Sequence, residues 1–263
     1  MNKDVPIIQI NNLWKEYGEN IVLERLKLDV KEGDFVSIVG ASGCGKTTFL
    51  NMMLGTEKPS RGEILLDGEP LSCEPSVERG IVFQKYSVFP HLTALENVMI
   101  GQEFEAGGIG STFLGRSFGD KKKQTEQAAK AMLEQVGLGH ALQKYPHELS
   151  GGMRQRLSIA QSLIKKPRIL LLDEPFGALD PGIRKDMHEL IKSLWQEQKL
   201  TVFMITHDLS EGFYLGNRLW VFDHVRHDEQ APERYGAQVT FDIDLDKPSA
   251  ADSISQQIIK KIA

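Results

Sequence analysis

The chain has 263 residues, 41% of them hydrophobic and 25% charged, with a formal net charge of −5. That length buries a full core in one or two domains, and the acidic balance excludes a global basic footprint for nucleic acid. No apolar run approaches the roughly 18–20 residues of a membrane span. Cys44 and Cys73, the two cysteines, have neither disulfide-framework nor zinc-ligand spacing. The composition predicts a cytoplasmic α/β protein that meets a membrane only through a partner.

The first residues, MNKDVPIIQI, carry no secretory apolar region. Alternation in IIQINNLW and at Leu26, Leu28 and Val30 predicts antiparallel strands with one solvent face. Residues 35–39, FVSIV, form a short apolar run ending at Gly40. GASGCGKTT (40–48) then matches G-x-x-x-x-G-K-[ST] between that run and the helical TTFLNMML. Gly40, Gly43 and Gly45 let the backbone wrap phosphates, with Ala41, Ser42, Cys44 and Thr48 completing the loop. Lys46 brings a point charge to the β/γ oxygens, and the Thr47 hydroxyl is a Mg²⁺ ligand. Cys44 reads as a tolerated loop residue whose backbone, not thiol, serves the phosphates. Tyr17, in WKEYG, is open to two readings: stacking on an adenine ring, or a surface tyrosine at a strand end.

Three further apolar runs, GIVF (80–83), ILLL (169–172) and VFMIT (202–206), read as buried strands of a parallel sheet. With FVSIV they end at Gly40, Gln84, Asp173 and His207, and in parallel sheets ligands sit beyond the strands' carboxyl ends. Asp173 is placed to hold Mg²⁺, directly or through water, and Glu174 to polarise an attacking water. Gln84 can contact Mg²⁺ or its water through one amide atom. His207 can reach the γ-phosphate or orient Glu174. Alone, each of the last two reads as a structural polar residue; their shared position promotes both.

Between these strands the sequence is mostly helical. KKKQTEQAAKAMLEQV (121–136) places Ala128, Met132 and Val136 on one face, with Lys121–Lys123 read as its solvated start rather than as a binding patch. Ahead of it, 106–119 is a glycine-rich, aperiodic excursion. In LSGGMRQR (149–156), Ser150, Gly151 and Gly152 stand at the start of a helix spaced by Met153, Leu157, Ala160 and Ile164. A hydroxyl, bare N–H groups and the positive end of the helix dipole make an anion site. Beside a P-loop in the same chain that site is redundant. It makes sense if two chains pair head to tail, each offering it to the γ-phosphate held by the other. Beyond about residue 224 the chain turns polar, alternates again in QVTFDIDL (238–245), and ends in the amphipathic ADSISQQIIKKIA. Residues 226–263 read as a small C-terminal appendage.

The P-loop, Gln84, LSGGM, LLLDEP, ALD (178–180) and THD (206–208), in that order, resemble the ATP-binding subunit of an ABC transporter over about residues 5–225. The resemblance implies an α/β P-loop core with a parallel sheet, an N-terminal antiparallel β subdomain and a helical subdomain inserted at about 85–165. It implies a homodimer hydrolysing Mg²⁺-ATP at two interface sites, with the loop of Asp180 communicating across the dimer. Transmembrane permease subunits are the implied partners, with a periplasmic or extracellular solute-binding protein acting through them. The location implied is peripheral, at the cytoplasmic face of the inner membrane. SGGMRQR and FGALD resemble importers of nitrate, sulfonates or taurine, while 106–119 and the tail depart from that group. KYSVFPHLTALENV (85–98), with Tyr86 and Phe89 ahead of Pro90, is expected either to dock a short permease helix or to pack inside the helical lobe. Two other readings fit less well: a non-transport ABC ATPase lacks its coiled coils or second cassette here, and a P-loop kinase leaves LSGGM and His207 unexplained. An exporter subunit stays open as the alternative direction.

Overall fold

The structure, a computed structural model, describes residues 5–84, 87–103, 117–226, 228 and 230–246. The chain opens with β1 (Ile8–Tyr17) and β2 (Asn20–Val30), then β3 (Phe35–Gly40) and α1 (Lys46–Leu54). β4 (Arg61–Leu66), β5 (Glu69–Pro70) and β6 (Arg79–Val82) follow, then α2 (Ala94–Glu103), α3 (Ser117–Gln135) and α4 (Gly151–Leu163). The remainder is β7 (Ile169–Asp173), α5 (Pro181–Gln198), β8 (Thr201–Ile205), α6 (Leu209–Leu215), β9 (Arg218–Asp223) and β10 (Gln238–Asp244).

Among the described residues the strands form two sheets, ordered β2-β1-β4-β5 and β10-β9-β3-β8-β7-β6. The first is antiparallel, as the N-terminal alternation requires. In the second, β9, β3, β8, β7 and β6 run parallel, so their carboxyl ends share one edge. The four predicted apolar runs are β3, β6, β7 and β8. RLWVFD, which sequence reading passed over, supplies β9, and its Trp220 is wholly buried. Two boundaries fall one residue short of the apolar runs, because Phe83 is exposed and Thr206 turns toward a side-chain partner. QVTFDIDL becomes β10, antiparallel to β9 at the sheet edge, so residues 238–244 continue the central sheet. The expected helix at 251–263, Tyr86 and most of the glycine-rich 106–119 lie outside the described residues.

The sheet is covered on both faces, which is why its strands are apolar throughout. On one face lie α2, α3, α4 and α5, with Leu133, Val136, Leu157, Ala160, Leu163 and Ile191 in a single buried cluster. On the other, α1 fills the space between the two sheets. Its Phe49 meets Phe203, Trp220 and Phe222 at ring-centroid distances of 6.2, 6.0 and 5.6 Å. Fully burying one such ring contributes about 1.5–3 kcal/mol. That packing fixes the helix whose first turn carries Lys46 and Thr47. No helix among the described residues is long and apolar enough to cross a membrane.

Candidate functional site

The P-loop is shaped by what surrounds it. Gly45 caps α1 in a left-handed conformation, φ +83°, and a Cβ there would lie 2.7 Å from Leu23 Cδ2. At Gly40 a Cβ would strike the Phe222 carbonyl oxygen at 2.2 Å. Both positions therefore need glycine for packing as well as for phosphate approach. Ala41, Ser42, Gly43 and Thr47 face solvent, while Cys44 turns inward and is 1% exposed. Burial raises the Cys44 pKa, against the opposing charge of Lys46, which favours the protonated thiol. The Lys46 ammonium donates to the Gly40 and Ala41 carbonyls, each at 2.8 Å.

At the ends of the parallel strands the predicted polar residues meet. The Asp173 side chain neighbours Thr47 and Lys46 of the P-loop. Burial, with the charge of Glu174 beside it, holds the Asp173 carboxyl above its usual 3.8, while Thr47 and Lys46 oppose the rise. Glu174 leaves β7 at φ +45°, a conformation that costs a non-glycine residue energy and turns its side chain off the strand direction. Its backbone N–H is held by the Ile205 carbonyl at 3.1 Å. Gln84 Nε2 donates to Glu174 Oε2 at 3.1 Å, and His207 Nδ1 lies 3.7 Å from the same oxygen. Three strand ends thus converge on one carboxylate.

Tyr17 sits at the near side of this loop. Its hydroxyl donates to Glu57. Burial and Glu57 push its pKa up to about 12, and Lys15 Nζ lies 4.6 Å from its ring centroid. The residue is 47% exposed.

Ser150, Gly151 and Gly152 begin α4, away from this cluster in hydrogen bonding. Ser150 Oγ accepts the Met153 N–H at 3.3 Å, capping the helix. A Cβ at Gly152 would lie 2.5 Å from Ile183 Cγ2 on α5. One of the two glycines therefore has an in-chain reason that sequence reading did not see. It also missed Arg184 and Glu211, which line the cleft beside Glu174, Gly177, Thr206, His207 and Asp208. No motif marks them; they are gathered by the packing of α5 against α6.

Among the described residues no group of three or more His, Cys, Asp or Glu side chains could hold a metal by itself. The Thr47 hydroxyl and the neighbouring Asp173 carboxylate, with the Gln84 amide bonded to the adjoining Glu174, make a partial set of oxygen donors. It fits a hard divalent ion that completes its shell with substrate phosphate and water.

A P-loop on a parallel sheet, with adjacent carboxylates closing another strand, defines the nucleoside-triphosphatase class. The chain belongs to the ABC transporter family, whose model matches residues 23–177, and it is an ATP-binding, ATP-hydrolysing member. It is 38% identical over 206 residues to the aliphatic sulfonates import ATP-binding protein SsuB of Bacillus anthracis, covering 78% of this chain and 75% of that protein. It is 38% identical over 231 residues to the bicarbonate transport ATP-binding protein CmpD of Synechocystis sp., covering 86% and 77%. Among solved structures it resembles the dimeric post-hydrolysis state of the ATP-binding cassette MJ0796 bound to ADP and Pi. That match has a TM-score of 0.70 and 30% identity over 90% of this chain and 98% of the other.

Proposed function

We propose that the chain is the ATPase subunit of a solute importer, acting as a homodimer against transmembrane permease subunits at the cytoplasmic face of the membrane. The observation that carries the chemistry is the meeting of Gln84 and His207 on Glu174, beside the Thr47–Asp173 pair. Import is supported by the names of SsuB and the other import ATP-binding relatives, and pairing by the dimeric MJ0796 cassette. A solute-binding protein outside the membrane would deliver the solute to the permease.

Each residue then has a task. Lys46 leaves the Gly40 and Ala41 carbonyls to reach the β/γ oxygens, while the backbone from Gly40 to Thr48 cradles the phosphates. Thr47 and Asp173 would hold Mg²⁺, with Gln84 at its water; the ion supplies charge neutralisation on the phosphates. Glu174 accepts the proton of the attacking water, and His207 orients that water or bonds the γ-phosphate. Tyr17 stacks on the adenine. Ser150, Gly151 and Gly152 face the nucleotide of the partner chain, and the loop at Asp180 runs between the two sites.

The test is ATP-driven dimerisation of Glu174→Gln, followed by size-exclusion chromatography. A dimer with ATP and a monomer without it is the expected pair of results. A monomer at saturating ATP overturns the interface reading.

A further inference from the structure

His188 of α5 lies between the segment that carries Glu174 and the turn that carries His207. Its ring meets Phe176, just beyond Glu174 in the chain, edge-on at 5.0 Å between centroids. Its Nε2 is 2.7 Å from Glu211 Oε1. The other oxygen of Glu211 accepts the Thr206 hydroxyl, and Thr206 Oγ1 accepts the Asp208 N–H at 3.0 Å. Glu211 is only 7% exposed, and a buried carboxylate is costly unless its oxygens are bonded. A carboxylate oxygen accepts, so the pair is satisfied with Nε2 of His188 as the donor.

The side chain of His207, by contrast, is 65% exposed and meets Glu174 at 3.7 Å. Packing around the imidazole does not aim it; the backbone of residues 206–208 does. That backbone is pinned by Thr206 N–H to the Ile38 carbonyl at 3.1 Å and by the Thr206–Glu211 contact. Helix α5 holds the same turn a second time, one helical turn earlier. Arg184 Nη1 lies 3.9 Å from Asp208 Oδ2, and Arg184 Nη2 donates to the Leu179 carbonyl at 3.3 Å.

We propose that Glu211 and His188 are positioning residues for ATP hydrolysis. They lock the Thr206–Asp208 turn to α5 and to Phe176, and so hold His207 against Glu174. The proposal rests on the assignment of His207 to the γ-phosphate chemistry given above. Small displacements suffice for a kinetic effect, since about 1 Å of misplacement can cost about 100-fold in rate.

The experiment measures kcat, KM and ATP affinity of the full chain in His188→Ala, His188→Gln, Glu211→Ala, His207→Ala and the double variants with His207→Ala. His188→Ala and Glu211→Ala should each lower kcat by about 10-fold or more while ATP affinity stays within about 2-fold. His188→Gln, whose amide N–H reaches the same acceptor, should recover most of the loss. In the His207→Ala background neither alanine variant should lower kcat further, because the group they position is gone. Equal losses with and without His207 overturn the proposal alone, as do losses of kcat that track losses of ATP affinity. Parental turnover in His207→Ala overturns the assignment of His207 itself, and the positioning role with it. Should Glu211→Ala fail to fold, the His188 variants decide the matter by the same criteria.

Discussion

Gln84 donates its side-chain amide to Glu174 Oε2 at 3.1 Å, joining residues that follow β6 and β7. In Glu174→Gln two amides face each other, and one can still donate to the other. The geometry survives and the base is lost. Turnover should fall by about 10²–10⁴-fold with ATP affinity unchanged, checked by phosphate release alongside equilibrium nucleotide binding. Turnover near the parental rate removes Glu174 from the role of base.

Asp173→Asn should separate stability from function. The Asp173 carboxyl has a folded-state pKa above its usual 3.8, so its stabilising contribution is fully present below that value. It is lost as pH rises through the folded-state value. At neutral pH the ionised group therefore opposes folding. Asp173→Asn should raise the nucleotide-free thermal midpoint at pH 7, and the gain should vanish below about pH 4. Hydrolysis should meanwhile drop by about 10²-fold or more. A lowered midpoint at pH 7 contradicts this.

The adjacent glycines of α4 should fail differently. Gly152→Ala introduces a Cβ 2.5 Å from Ile183 Cγ2, so either the Ile183 side chain or the α4–α5 spacing has to give. Overpacking of that kind costs about 1–3 kcal/mol, read from urea unfolding of the isolated chain. Unchanged stability would mean that Ile183 simply rotates away.

Gly151→Asp should leave ATP binding intact and abolish ATP-driven dimerisation, because a carboxylate would face the partner's γ-phosphate. Lys46→Ala should instead lose its own nucleotide affinity. Mixed together in a Glu174→Gln background, the two variants should form a heterodimer through one intact composite site, while neither dimerises alone. Normal dimerisation by Gly151→Asp, or loss of ATP binding by its monomer, sinks the cross-chain assignment.

Phe89 is the expected anchor for a permease helix. Its backbone is fixed by Asn97, which is 0% exposed: the Phe89 N–H reaches Asn97 Oδ1 at 2.7 Å, and Asn97 Nδ2 reaches the Phe89 carbonyl at 3.1 Å. The residue is 38% exposed. A rigid backbone presenting an exposed aromatic suits an interface hot spot better than internal packing. Phe89→Ala should uncouple solute transport in the assembled transporter while sparing the ATPase of the isolated subunit within about 2-fold. Loss of fold or of nucleotide binding supports the packing account.

The sequence by itself determined the P-loop, the four strand ends and the capped start of α4. Those signals are local: a glycine spacing, an apolar run closed by a polar residue, a serine before a helical repeat. They follow from backbone sterics and the side-chain periods of strand and helix. Tertiary structure alone decided that Gln84 and His207 share Glu174, because the order β8-β7-β6 sets those strand ends side by side. It alone made RLWVFD a fifth parallel strand and QVTFDIDL its antiparallel neighbour. It alone seated Gly152 on Ile183 and closed His188 on Glu211. These contacts join elements far apart in the chain, and their registers come from how helices fill a shared core, which no local spacing encodes.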